Sequence, residues 1–493
     1  MRRILLALTL LLPLTLSAHV NSPDIYFDGN AGPYHLLVTI RPPAVVPGVA
    51  TVEIRCADKD VTRIQVVPLR MVGEASKLAP AADTAERSQH DPQLFTGKLW
   101  IMTRGSWKVQ VEAEGAQGKG QLSVPLPAVS RNSAKMQSAL GILLAVLGLA
   151  LVIGFISMAG AAAREADLEP GAEPDPQKRK RGYVREAIAT LVVVGTILFG
   201  NQWWKAEAAA NARLNYKVPH VAALLKAGNV LQLQISNPNE EERNRFIYRS
   251  PDRLALDDLI PDHGHLMHLF MVGTPEMKSF WHLHPKQDET GEFSVALPSL
   301  PAGKYQIYAD IVHHTGFPET QVGTIDLPAI AGRALAGDDS GGPALAASER
   351  TAQLADGHRM VWLRDAAALQ AGKPYWFRFR LEEKDGKPVT DLEPYMGMAA
   401  HAVFLSNDGN TFAHVHPAGS VAMAALNIAE TGTAESSGAA MQGMAGMDHA
   451  SHQTIGPEIS FPYGFPKPGD YHIFVQVKRA GRVETGAFLA HVE

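Results

Sequence analysis

Residues 139–163, ALGILLAVLGLALVIGFISMAGAAA, carry no charge. The run is long enough to cross a bilayer as an α-helix rising about 1.5 Å per residue. Such a segment rules out a single continuous soluble core and divides the chain in two. A second uncharged run, 187–204, ends in Trp203 and Trp204, which suit a membrane interface, and reads as a second span. Between them, 164–186 holds Arg164, Lys178, Arg179, Lys180, Arg181 and Arg185. The bias of Lys and Arg toward the cytoplasmic side makes this a cytoplasmic loop and turns both flanking segments outward. The expected location is a cell inner membrane, with the large segments in the periplasm. As a topology signal, the QKRKR cluster needs no nucleic-acid or lipid ligand to explain it.

Residues 1–18, MRRILLALTLLLPLTLSA, have a basic start, an apolar run and small residues at the end. They read as a secretory signal peptide cleaved after Ala18, with an uncleaved anchor as the alternative. Export admits disulfides, but Cys56 is the only cysteine, so no intrachain bridge can form. Within ATVEIRCAD it reads as a buried filler. The 45 basic and 50 acidic residues leave a net charge of −5, without the basic footprint that a nucleic-acid partner requires.

Outside the spans, short apolar runs alternate with Gly and Pro turns, a strand pattern. One phrase recurs: GSWKVQVEA from Gly105, GKYQIYADI from Gly303 and GDYHIFVQV from Gly469. Each is a turn glycine, then an aromatic residue, then period-2 alternation. The expected fold is mainly β, with three immunoglobulin-like β-sandwich modules at 19–130, 215–330 and 355–493 and the two transmembrane helices between the first and second. Residues 331–350, rich in Gly, Ala and Ser, read as a flexible linker. Residues 418–457 read as an insertion too polar and small to pack well. The stretch from Tyr34 through LFTGKLW to GSWKVQVEAEG resembles the YtkA-like and FixH-like family of exported or membrane-tethered β-sandwiches. That likeness covers about a hundred residues and implies a fold, with a loose link to metal handling and oxidase assembly.

The second and third modules align further. FWHLHP places His282 and His284 two residues apart, and FAHVHP repeats this with His414 and His416. Setting DHGHLMHLFMV over YMGMAAHAVFL matches His268 with His401, His265 with Met398 and His263 with Met396. Residues i and i+2 of a strand share a face, so each H-x-H pair can converge on one ion, with His268 or His401 as the third ligand from a neighbouring strand. The exchange of His for Met favours copper, which accepts both imidazole and thioether, over zinc. The competing reading is that these histidines only cross-link strands by hydrogen bonds. His313 and His314, at the end of KYQIYADIV, either join the site or lie in an exposed loop.

Within the insertion, MQGMAGMDHASH offers Met441, Met444, Met447, His449 and His452, soft ligands suited to transient capture of Cu(I). This stretch is similar to the Met- and His-rich segments of periplasmic copper-resistance proteins. Cleavage after Ala18 would also make His19 the first residue. Its amine and imidazole could then chelate copper as a histidine brace, with His35 or His90 completing it.

No H-E-x-x-H, P-loop or G-x-S-x-G motif is present. The expected function is a membrane-anchored periplasmic copper-binding protein for capture, relay, tolerance or cuproenzyme assembly, with a copper transporter or oxidase as partner. The alternatives are an oxidative copper enzyme built on His19 and a structural or assembly module whose histidines are incidental.

Overall fold

The computed structural model describes residues 23–58, 60–133, 136–169, 171–239, 254–343, 345–354, 357–432 and 455–493. The signal peptide and His19 lie outside these residues, as do Met441, Met444, Met447, His449 and His452. The chain divides into a helical unit, Ser130–Tyr216, and a β-rich unit made of the rest.

In the helical unit, α1 (Ser138–Glu165) and α2 (Pro176–Arg213) have mean hydropathies of 2.9 and 1.6 over their most apolar windows. Both are long and apolar enough to cross a membrane. Helix α2 begins well before the uncharged run. The Asp175 carboxylate accepts from Lys178 N at 2.7 Å and Pro176 sits in the first turn, so the start is capped and preset. Lys178, Arg179, Lys180, Arg181 and Arg185 therefore lie on helix rather than on the loop expected over 164–186. The helices approach closely where Gly160 meets Glu186: a Cβ there would sit 2.1 Å from the carboxylate.

Among the described residues, the β-rich unit contains six sheets, two from each of three stretches of chain. In the first stretch, Ile25–Ala31, Tyr34–Arg41, Gly48–Cys56 and Leu94–Ile101 build one sheet, and Val61–Arg70, Gly105–Gly115 and Gly118–Ala128 build most of the other. Cys56 is buried in the core between them. The recurring sequence phrase becomes a recurring structure. Gly105–Gly115, Gly303–His313 and Gly469–Arg479 each pair with the strand that follows, Gly118–Ala128, Pro318–Leu327 and Arg482–Val492. The aromatic residue two places after each glycine is buried, and its polar tip donates to the carbonyl four residues back. Trp107 Nε1 reaches Thr103 at 2.8 Å, Tyr305 OH reaches Pro301 at 2.6 Å and Tyr471 OH reaches Lys467 at 2.9 Å.

Period-2 alternation splits the faces of the second and third sheet pairs. Along His268–Thr274, Leu269 and Met271 enter the core of the second pair, while Phe270 and Val272 face the other way. Along His401–Ser406, Ala402 and Phe404 enter the core of the third, while Val403 and Leu405 face out. The two outward faces pack on each other, joining Phe270, Val272, Phe280 and Tyr308 to Val403, Leu405, Phe412 and Phe474 in one cluster. His268, His282, His401 and His414 share these same strand faces.

Part of the expected insertion also packs. Helix α3 (Met423–Thr431) buries Ala425, Ile428 and Ala429 against Met71 of the first sheet pair. Its start is held by Asp262, whose carboxylate accepts from Ala424 N at 2.7 Å.

Candidate metal centre

The second and third sheet pairs present the same three-strand frame. His268–Thr274 lies between Phe280–Leu283 and Gly303–His313, and His401–Ser406 lies between Phe412–Val415 and Gly469–Arg479. Phe270 is opposite His282 and Val403 is opposite His414. The third strand sets Asp310 beside His268 and Gln476 beside His401. Each frame is entered by a tight turn, Asp262 to His265 and Tyr395 to Met398, closed by a pair of backbone hydrogen bonds. His263 and Met396 occupy equivalent positive-φ positions in those turns.

Eight histidines gather where the two outward faces meet. Two sets of three offer nitrogens within 4.8 Å of one another: His268, His282 and His284 in one, His263, His401 and His416 in the other. His414 adjoins the second set, its Nε2 lying 3.1 Å from His401 Nδ1. His265 stacks on His284 with ring centroids 3.9 Å apart and pairs with Asp338 at 3.2 Å. The sets are not one per sheet pair. His263 leaves the second pair and lies 3.3 Å, Nε2 to Nε2, from His416 of the third.

The outer nitrogens of the first set are held by hydrogen-bond acceptors. His268 Nε2 donates to the Asp262 carbonyl at 3.1 Å, and His284 Nδ1 donates to Asp339 at 3.0 Å. His282 Nδ1 faces Gln476 Oε1 at 3.0 Å and the Tyr395 hydroxyl at 3.3 Å. Gln476 spends its amide hydrogens on Ser340 and Thr485, and Tyr395 donates to the Asp338 carbonyl, so both accept from His282. A neutral imidazole protonated on one nitrogen carries a lone pair on the other. His268 Nδ1 and His282 Nε2 therefore meet at 3.0 Å as two lone pairs. Among the described residues, the buried His284 Nε2 beside them has no hydrogen-bond partner. Among the described residues, three acceptor nitrogens converge here, an arrangement that could hold a cation.

The second set follows the same plan. His401 Nε2 donates to the Tyr395 carbonyl at 3.2 Å and His416 Nδ1 to the Val421 carbonyl at 3.1 Å, turning His401 Nδ1 and His416 Nε2 inward as acceptors. Burial, reinforced by neighbouring imidazoles, holds His268, His282, His401 and His414 well below the usual imidazole range and pushes His416 down to about 3. These five imidazoles are therefore neutral at ordinary pH and available for coordination. Burial also pushes Asp310, which lies 3.5 Å from His414, up to about 7.

Met396 and Met398 lie half-buried on the turn that matches the one bearing His263 and His265. His313 and His314 bind Asp258 instead, at 2.6 and 2.8 Å. His35 pairs with Asp28 at 2.9 Å, and His90 is exposed. The supporting residues Asp262, Asp310, Tyr395 and Gln476 escape a reading of the sequence that looks only for ligands. Asp338, Asp339 and Ser340 fall in the stretch read as a flexible linker. That stretch instead supplies a strand, Ser340–Gly342, paired with Phe280–Leu283, and the acids that hold His265 and His284. An Asp-Asp-Ser run shortly before the third module is the one signal that could have marked it.

A family model described as a domain of unknown function, DUF8832, matches residues 352–493. No curated protein matches the chain. Among solved structures, the chain is similar to an engineered protein at 18% identity, over 19% of this chain and 20% of that one, with a TM-score of 0.15. It is similar to dimeric latent PorU from Porphyromonas gingivalis at 7% identity, over 96% of this chain and 34% of that one, with a TM-score of 0.14. A three-Ig titin fragment gives 7% identity, 91% and 94% coverage and a TM-score of 0.13. The chain thus spans a fifth of the first protein and a third of the second. Likenesses at these TM-scores carry no argument about function.

Proposed function

We propose that the chain is a membrane-anchored copper-binding protein. Its three sheet pairs are immunoglobulin-like sandwiches facing the periplasm, and copper is held where the second meets the third. The observation that carries this reading is the meeting of His268 Nδ1 and His282 Nε2 as lone pairs at 3.0 Å, beside the unpartnered His284 Nε2. Were these histidines only cross-linking strands, one nitrogen of each facing pair would carry a proton. The acceptors on the outer nitrogens of His268 and His282 oppose that.

Imidazole serves copper, zinc and nickel alike, and copper ranks highest among divalent ions. The His-to-Met exchange at the two equivalent turns, and the Met- and His-rich stretch from Met441 to His452, favour copper over zinc. Full burial of His282 suits an ion that is retained. A role in tolerance or in cuproenzyme assembly, with a copper transporter or an oxidase as partner, is the resulting reading. The test is competition titration of the full-length protein in detergent micelles with Cu(I), Cu(II) and Zn(II). Stoichiometric copper binding that falls in a His282→Ala/His284→Ala double variant supports the function, and absence of stoichiometric copper overturns it.

A further inference from the structure

Two binding sites, one from each sandwich, would be expected to lie apart and to act independently. The rings are arranged otherwise. Within the first set, centroids are separated by 5.2 Å (His268 to His282), 5.1 Å (His268 to His284) and 4.6 Å (His282 to His284). Within the second, His263, His401 and His416 are separated by 4.9 to 5.0 Å. Across the interface the spacing is scarcely larger, 5.4 Å from His268 to His414, 5.7 Å from His282 to His414 and 6.5 Å from His282 to His401, and His263 of the second set lies 6.1 Å from His268 of the first. Phe270 packs against both sides, 4.2 Å from His282 and 5.0 Å from His414.

The ligand shells are also interleaved. Gln476 of the third sheet pair holds His282 of the second at 3.0 Å, and Asp310 of the second faces His414 of the third at 3.5 Å. His263 crosses in the same direction as Asp310 and enters the second set directly. Neither set has its full complement of ligands and supporting groups until the two sheet pairs are docked.

We infer that the two sets hold two copper ions as one dinuclear centre, with His263 as the ligand that crosses the interface. The inference rests on the copper reading above. His268, His282 and His284 give the first ion three imidazoles, and His414 offers the second set a fourth, its Nε2 3.1 Å from His401 Nδ1.

The experiment loads the full-length protein in micelles with excess Cu(II), removes loose metal, and measures copper per chain together with the electron paramagnetic resonance spectrum. The expected result is two coppers per chain and a dipolar-broadened spectrum, or a spin count below the copper content. His263→Ala, a change at a partly exposed turn, should reduce the copper content from two to one and restore a sharp mononuclear spectrum. A chain that holds one copper, or two with unbroadened spectra and a full spin count, overturns the dinuclear centre and leaves the copper reading standing. A chain that holds none overturns both. If His263→Ala retains both ions with the coupling unchanged, His263 is not the bridging-side ligand and the inference fails.

Discussion

His282 Nδ1 and Gln476 Oε1 lie 3.0 Å apart although they belong to different sheet pairs and are separated by 194 residues. The contact fixes which nitrogen of His282 points into the cluster. Gln476 is itself oriented by Ser340 and Thr485, so the tautomer is set by a chain of hydrogen bonds.

Replacing Gln476 with Ala removes that orientation without removing a ligand. Loss of a supporting partner typically lowers metal affinity by roughly 10–100-fold. We expect Gln476→Ala to weaken one copper site by that factor while leaving the far-ultraviolet circular dichroism unchanged. Competition with a chromophoric chelator measures it, and unchanged affinity would show that the His282 tautomer is held by Tyr395 alone.

The interface is also an apolar core. Phe270 is fully buried, stacks on His282 and lies 5.3 Å from Phe412 across the junction. A Phe-to-Ala change in such a site costs about 3–5 kcal/mol. Phe270→Ala should therefore lower the melting temperature of the apo protein and also reduce copper binding, because the two histidine sets are completed only by docking. Copper that restores the wild-type melting temperature would indicate that metal and apolar packing act on the same interface.

Much of the histidine cluster was legible because it is local. H-x-H spacing places His282 with His284, and His414 with His416, by strand geometry alone, and the internal repeat matched His268 with His401. The partners across the interface were not legible. Whether His263 serves its own sheet pair or the other depends on which outward faces meet, and Phe270, Phe280, Phe412 and Phe474 settle that through contacts distant in sequence. Composition misread Asp338 and Asp339, since a Gly- and Ala-rich stretch resembles a linker whether or not its acids are engaged. It also misread α3, whose short apolar run gains its stability from Met71 rather than from its own propensity.

A separate cluster predicts a pH dependence. His313 is wholly buried. Burial acts to lower its pKa, but the hydrogen bond to Asp258 at 2.6 Å and the ion pair with Glu319 at 3.6 Å outweigh it and push it up to about 9. A folded-state pKa above the unfolded value of about 6.5 gives stability that is complete below that pH and lost as pH rises through about 9. The contribution is on the order of 3 kcal/mol, at 1.36 kcal/mol per pKa unit. The apparent melting temperature should fall between about pH 7 and pH 9.5, and Asp258→Asn should flatten that slope. An unchanged slope in the variant would assign the alkaline loss to other groups.

Gly419 ties the His416 turn to the first sheet pair. His416 and Gly419 exchange backbone hydrogen bonds at 2.7 and 2.9 Å, and on either side of the glycine Asp28 N donates to the Ala418 carbonyl and Ser420 N to the Tyr26 carbonyl. The glycine has φ +131°, and an added Cβ would lie 2.0 Å from the Tyr26 carbonyl oxygen. Gly419→Ala must therefore shift backbone, not a pliable side chain, and the strained conformation alone costs on the order of 1–3 kcal/mol. Because His416 sits on the same turn, the shift should weaken the second histidine set more than the first. Gly118→Ala is the control: its φ is +111° but nothing lies within 4 Å of the added Cβ, so it carries the conformational cost without the clash. We expect Gly419→Ala to destabilise more than Gly118→Ala and to lose one copper selectively, while Gly118→Ala binds copper as the wild type does. Equal effects of the two variants on copper content would show that the turn at His416 is positioned independently of the first sheet pair.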